Sequence, residues 1–367
     1  MKIILSLLLM LPITKLEKSK NILVSPLNWG LGHATRCIPI INALKTHSFN
    51  PIIASDGVAL ELLKKEFPDL ICLEIPSYQI EYPKNGTYFK LKLLFNSHKI
   101  IKAILLERKA TKQICKQYNI EGIISDNRLG VFNPKVPSVF ITHQLKVMTG
   151  NTTWLTTKMH NYFIKKFNQC WIPDVEGFPN LSGELGHVEN ADLNLKYIGP
   201  LSRLEKKDIP TKYDLMVILS GPEPQRTLLE EKLLEELKSY QGKILFIKGK
   251  IEKEQNFEQN GAFTIYNFMT SKELENAFNE SNHILCRSGY TTVLDLAKLQ
   301  KKAFFIPTPG QYEQEYLAKK FKEEGIAPSK KQQKFKMSKL SEIDMYKGFS
   351  IFKTDINSKE LFTIFDK

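Results

Sequence analysis

The sequence predicts an α/β protein made of two doubly wound parallel-sheet domains with a cleft between them. Three observations carry this expectation. The chain has 367 residues, more than one ordinary hydrophobic core holds, so two domains are expected. Short continuous apolar runs alternate with helical patterns, first in residues 21–198 and again in residues 213–345; such runs suit parallel strands buried on both faces. Both stretches open with the same device, an apolar strand, a glycine-containing turn and a helix. In open α/β sheets ligands collect at the carboxyl ends of such strands.

Taken in order, residues 1–20 form an apolar N-terminal extension that begins MKIILSLLLMLP. The run is too short to span a bilayer and lacks a small-residue cleavage site. It reads as an amphipathic extension or a misassigned start rather than a secretion signal. In residues 21–198 the predicted strands are NILVSP, PIIAS, ICLEIP, GIISD, SVFIT and CWIPD, with helices such as ALELLKKEF and MHNYFIKKF between them. Residues 199–212 hold a glycine, two prolines and a charge run, the composition of a linker. Residues 213–345 restart the pattern: strand DLMVILSG, helix TLLEEKLLEELKSY, strands KILFIKG and FTIYNF, helix SKELENAF, strand HILCRSG, helix TTVLDLAKL, strand AFFIPTP and helix YEQEYLAKKF. Residues 346–367 remain as a C-terminal segment expected to pack back on the first domain.

Composition narrows the function classes. Hydrophobic residues make up 42% and charged residues 25%, as in a globular chain. The net charge of +13 favours anionic partners. No nucleic-acid-binding motif accompanies it, so nucleic acid is not an expected partner. The five cysteines, Cys37, Cys72, Cys115, Cys170 and Cys286, include no CxxC pair; reduced thiols and no metal site are expected. Residues 84–112 are basic and rich in Phe, Leu and Ile, a pattern that suits either an anionic membrane surface or a core-packed helix with a solvated face.

Four stretches carry chemistry. LNWGLGHATR places Gly30 and Gly32 after a strand and His33 at a helix start, with Trp29 and Arg36 nearby. Glycines allow close backbone approach, and a helix N-terminus keeps an imidazole neutral, so His33 is a candidate general base. The nicotinamide fingerprint would need glycine where Thr35 stands, although Asp56 mimics its ribose-binding acid. LSGPEPQR offers Ser220, Gly221 and Arg226 to an anion. CRSGYTTVLDLA ends a strand at Arg287, Ser288 and Gly289 and opens a helix at Thr291, with Asp295 one to two turns on. PTPGQYEQ puts Glu313 and Gln314 at another helix start, where their side chains suit hydroxyl recognition.

The ordered set GLGH…R, SG, the phenylalanine of YNFM, RSGxxTVxDxA and P…EQ…A resembles the family 28 glycosyltransferases of the GT-B fold, over roughly residues 21–325. The resemblance implies two Rossmann-like domains, acceptor-binding over 21–198 and donor-binding over 213–345. It implies an inverting, metal-independent transfer of a sugar, N-acetylglucosamine among the candidates, from a UDP-sugar to a hydroxyl of a glycan or lipid-linked cell-envelope acceptor. The enzyme would be cytoplasmic, peripheral at the inner face of the membrane, with no cofactor. Ser220, Gly221, Arg287, Ser288 and Gly289 would face the diphosphate, Asp295 the ribose, Phe268 the base, and Glu313 and Gln314 the sugar. His33 would be the base, with Asp126 its rival. THQ (142–144) departs from the family's His–acid pair by carrying Gln144 beside His143, and SDNR (125–128) departs from its Gly-rich loop. Asn127, Arg128, His143 and Gln144 therefore join Trp29, Gly30, Gly32 and Arg36 as candidate acceptor contacts, and a different acceptor is expected. A nucleotide-sugar epimerase or hydrolase, a nicotinamide oxidoreductase and a non-catalytic sensor are the alternatives.

Overall fold

A computed structural model describes residues 19–78, 97–188, 192–250, 252–352 and 358–366. Most of the N-terminal extension, and residues 84–96 of the basic apolar stretch, lie outside the described residues. The first sheet has seven strands: β1 (Asn21–Pro26), β2 (Asn50–Ser55), β3 (Cys72–Glu74), β4 (Ile120–Asp126), β5 (Ser138–Ile141), β6 (Gln169–Ile172) and β7 (Leu195–Tyr197). Their order is β3-β2-β1-β4-β5-β6-β7, and each pairing is parallel. Val24 of β1 lies opposite Ile53 on one side and Ile124 on the other.

The unbroken apolar runs now have a physical reason. Ile22 and Val24 enter one core, with Cys37, Ile38 and Ile41 of helix α1 (Gly32–Thr46); Leu23 between them enters the opposite core, with Ile114 and Cys115 of helix α3 (Ser97–Gln117). A strand covered on both faces has no side to leave polar. Helix α2 (Gly57–Glu66) buries Ala59, Leu60 and Leu63 on the same side as α1, and helix α4 (Thr153–Ile164) follows β5.

The second sheet has six strands: β8 (Tyr213–Ile218), β9 (Ile244–Ile247), β10 (Phe257–Asn260), β11 (Phe263–Tyr266), β12 (Ser281–Cys286) and β13 (Lys302–Phe305), in the order β10-β11-β9-β8-β12-β13. Only the edge pair β10–β11 is antiparallel among them. Helices α5 (Gln225–Glu236), α6 (Ser271–Asn279), α7 (Tyr290–Leu299) and α8 (Tyr312–Glu323) cover it. A capping box at Thr270 and Glu273 starts α6 by meeting two otherwise unpaired backbone donors. Two strands go beyond the sequence expectation. β7 is only three residues long and β10 is exposed along its length, so neither carries the apolar run that marks a strand.

The chain returns to its starting half at the end. Phe362 and Phe365 are buried against Phe49 and Trp171, and Lys20 Nζ donates to the Phe365 carbonyl at 2.7 Å. Phe349 packs on Phe305 and Phe321 of the second half.

Candidate active site

The carboxyl end of β1 runs through Gly30, whose φ of +77° suits glycine, into α1. That path delivers His33 and Arg36 to the end of β4, where Asp126 sits fully buried. His33 Nδ1 lies 2.8 Å from Asp126 Oδ1, and Arg36 holds both carboxylate oxygens, through Nε and Nη2. Arg36 Nη2 also lies 2.8 Å from His33 Nδ1. Both contacts cannot be hydrogen bonds to one nitrogen state. The carboxylate only accepts, whereas the guanidinium already has the carboxylate as partner, so Nδ1–H donates to Asp126. The other ring nitrogen, Nε2, then keeps its lone pair. Burial pulls the His33 pKa below its usual 6.5, aided by Arg36 and opposed by Asp126. Burial alone would raise Asp126, but Arg36 and His33 bring it to about 2. With both oxygens bound and its basicity suppressed, Asp126 is poorly disposed to take a proton. This corrects its standing as a rival base.

The two halves meet at this cluster. Arg36 Nη1 lies 3.3 Å from His143 Nδ1, and His143 Nε2 lies 3.3 Å from Glu313 Oε1 at the start of α8. Gln144 donates to the other Glu313 oxygen. Burial pushes the Glu313 pKa up, but His143, Arg36 and His33 outweigh it and hold the carboxyl below its usual range. Tyr290, the first residue of α7, stacks on His143 with ring centres 3.9 Å apart and donates to the Pro173 carbonyl. A Cβ on Gly32 would lie 2.5 Å from Thr291 Oγ1, so the absent side chain lets α1 and α7 approach. A surface pocket of about 420 Å³ opens beside this junction, with Lys146 and Met148 from the first half and Tyr312, Tyr316 and Lys319 from α8 in its wall.

Across the cleft, three loops end neighbouring strands of the second sheet: Ser220–Gly221 after β8, Arg287–Gly289 after β12 and Pro307–Thr308 after β13. Ser220 and Gly221 are exposed, and Gly221 has a φ of +105°. Gly289 immediately precedes α7, whose N-terminal N–H groups favour an anion. Gln314 braces the cradle from behind: its Oε1 accepts from the Thr308 N–H at 2.8 Å, and its carbonyl accepts from Ser288 Oγ at 2.7 Å. Asp295 accepts from Ser202 Oγ at 2.6 Å; burial raises its pKa to about 6, against the pull of Ser202 and Arg203.

Several expected side-chain roles need correction. Arg128 is fully buried and points away from the cleft, bonded to Glu107, Asp56 and the Pro26 and Pro76 carbonyls. Its neighbour Asn127 is only partly buried and takes φ +56°, so the turn sends the two side chains different ways. Arg226 is taken up by Glu223, Glu230 and the Lys248 carbonyl rather than offered to a ligand. Arg287 turns inward to the carbonyls of Ile306, Pro307 and Gln225. The Ser288 hydroxyl is spent on Gln314. Phe268 is half-buried, and its N–H and C=O are already bonded to Asn267 and Gln255. Glu313 reaches across the cleft to the first half instead of staying in the cradle. Trp29 is 38% exposed at the loop that precedes His33. Sequence reasoning missed Tyr290, Thr308 and the pocket wall. The i, i+4, i+7 spacing of Tyr312, Tyr316 and Lys319 is the signal that was there to be read for the wall.

Residues 223–343 match the glycosyltransferase family 28 C-terminal domain. A Clostridium botulinum protein named UDP-N-acetylglucosamine–N-acetylmuramyl-(pentapeptide) pyrophosphoryl-undecaprenol N-acetylglucosamine transferase is 22% identical over 310 residues, 81% of each chain. Among solved structures, MurG of Acinetobacter baumannii aligns over 95% of this chain and 99% of its own, at 15% identity and a TM-score of 0.58. A Polygonum tinctorium UDP-glucosyltransferase aligns over 95% and 99%, at 12% identity and a TM-score of 0.65. No helix among the described residues is long and apolar enough to cross a membrane. With its cleft between two α/β sheets the chain has the GT-B fold, and its second half carries the C-terminal domain of glycosyltransferase family 28 over residues 223–343.

Proposed function

We propose that the enzyme transfers a sugar from a UDP-sugar to an acceptor hydroxyl with inversion, His33 acting as the general base. The observation that carries the reading is the His33–Asp126–Arg36 cluster at the carboxyl edge of the first sheet, facing a glycine-lined anion cradle on the second. The acceptor oxygen attacks the anomeric carbon as the carbon–oxygen bond to the diphosphate breaks. His33 Nε2 takes the hydroxyl proton. Ionised Asp126 steadies the imidazolium that results, and Arg36 fixes the carboxylate in place. The departing diphosphate gathers negative charge, which backbone N–H groups at Gly221 and Gly289 and the N-terminus of α7 meet without reorganising. These groups supply what a metal would otherwise supply. Asp295 holds the ribose and Phe268 packs on the base, with its ring rather than its backbone. The pocket beside Glu313 receives the body of the acceptor, and its lysines suit an acceptor that carries an anionic group. A glycan or lipid-linked acceptor of the cell envelope is consistent with the Clostridium relative's name. The basic helix α3 exposes Ile101, Leu105 and Leu106 beside Lys102 and Lys109, which suits docking on the inner face of the membrane.

His33→Ala should leave UDP affinity unchanged and lower the transfer rate by about 10²- to 10⁴-fold. Wild-type turnover should be flat from neutral pH downward until it crosses the lowered His33 pKa, because only the neutral ring accepts a proton. A His33→Ala enzyme with wild-type turnover would remove His33 from the mechanism. Anomeric inversion is read directly from the product by NMR.

A further inference from the structure

The Thr308 side chain has no role in the chemistry above, yet its placement is unusual. It is 4% exposed, and its hydroxyl has no hydrogen-bond partner. A buried hydroxyl left unpaired costs free energy, so such groups call for a reason. The hydroxyl faces the β8 loop. The position a Cβ would take on Gly221 lies 3.5 Å from Thr308 Oγ1, and no other atom outside the neighbouring residues comes within 4 Å of it. The place a Gly221 side chain would take beside the hydroxyl is therefore left unfilled. An oxygen atom seated there would accept from Thr308.

A second observation gives the sign of the charge that belongs in that place. Arg287 lies under the same loops, fully buried, and its guanidinium bonds only to backbone carbonyls. Among the described residues no carboxylate pairs with it. A buried cation without a counterion raises the local potential, and the N-terminus of α7 adds to it. The occupant is an anion.

We infer that Thr308 donates to the distal phosphate of the nucleotide-sugar, the one that carries the sugar. The inference rests on the donor reading above and deepens it. Sheet order gives the assignment. Phe268, assigned to the base, follows β11, whereas Gln314, whose amide nitrogen stands beside Gly289, follows β13 at the start of α8. A donor laid along the carboxyl edge runs from β11 through β9, β8 and β12 to β13. Thr308 stands at the β13 end, so the nearer phosphate is the distal one. Its donated proton meets the oxygen on which charge builds as the glycosidic bond breaks.

Calorimetric titration of UDP and UMP into the wild-type enzyme, Thr308→Val, Thr308→Ala and Thr308→Ser tests this. Val keeps the volume without the hydroxyl, and Ala is a second hydroxyl-free variant should Val disturb the fold. UDP should bind roughly tenfold more weakly to Val and Ala, a loss of about 1.4 kcal/mol. UMP affinity should be unchanged in both, and Ser should restore UDP binding. If wild-type protein binds UDP and the hydroxyl-free variants bind it equally well, the Thr308 assignment falls and the donor reading stands. An equal loss for UMP and UDP overturns the distal-phosphate assignment. Wild-type protein that binds neither nucleotide overturns the donor reading, and the inference with it.

Discussion

Residue scale shows where stability has been given up for chemistry. Asp295 sits in a buried setting with its pKa raised to about 6. Its ordinary value is 3.8, so the folded state binds the proton more tightly than the unfolded chain does. The stabilisation is fully present below pH 3.8 and is lost as pH rises through about 6. At neutral pH the ionised carboxylate is a cost, which Ser202 reduces but does not remove. Asp295→Asn should therefore melt higher than wild type at pH 7, by up to about 3 kcal/mol of stability, and the gap should close at acid pH. The same variant should bind UDP more weakly, because the amide keeps one acceptor oxygen, the one Ser202 already uses, and puts an N–H donor where the carboxylate would offer its second oxygen to the ribose. Thermal melts at several pH values check the first half, and titration with UDP the second. A variant that is less stable at pH 7 would overturn the account.

This scale is also where the sequence was least legible. His33, Arg36, Asp126 and His143 could each be picked out, but not joined, because 90 and 107 residues separate Arg36 of α1 from Asp126 at the end of β4 and from His143 just after β5. Arginines beside glycine turns read as phosphate ligands. Whether a guanidinium turns outward depends on carbonyls and carboxylates that the fold brings up behind it, as with Arg128, Arg226 and Arg287. Thr308 carries no motif, and its meaning appears only once Gly221 is opposite.

At the scale of elements, the cleft depends on how closely α1 and α7 approach. Gly32 is the contact point, and Thr291 fills the space its side chain would take. Gly32→Ala should push the two helices apart, with no backbone strain, since only the clash with Thr291 Oγ1 opposes it. Transfer should fall about tenfold, because small misplacements of reacting groups have large effects on rate. Thr291→Ala in the same chain should restore most of it. Absence of rescue would mean that Gly32 serves the site in another way. The element pattern itself was readable almost throughout, since each buried parallel strand leaves a continuous apolar run. The exceptions, β7 and β10, are edge strands, where burial no longer selects the residues.

For the whole molecule, the excess of positive charge needs a partner of opposite sign, and α3 offers a surface on which apolar and basic residues lie together. Full-length enzyme should co-sediment with phosphatidylglycerol vesicles and not with phosphatidylcholine vesicles. Ile101→Ser with Leu105→Ser should weaken the binding several-fold, since each exposed side chain contributes in proportion to the apolar area it buries. Retention unaffected by these changes would place the membrane surface elsewhere.

The phenylalanines at the end of the chain bear on how the protein is made. Trp171 and Phe49 belong to the first half, yet they are covered by residues 362 and 365. A ribosome releases the first half long before those residues emerge. The nascent first half must therefore wait, its hydrophobic seam open, while the second half is synthesised. The halves follow one another in sequence, but neither can be finished first.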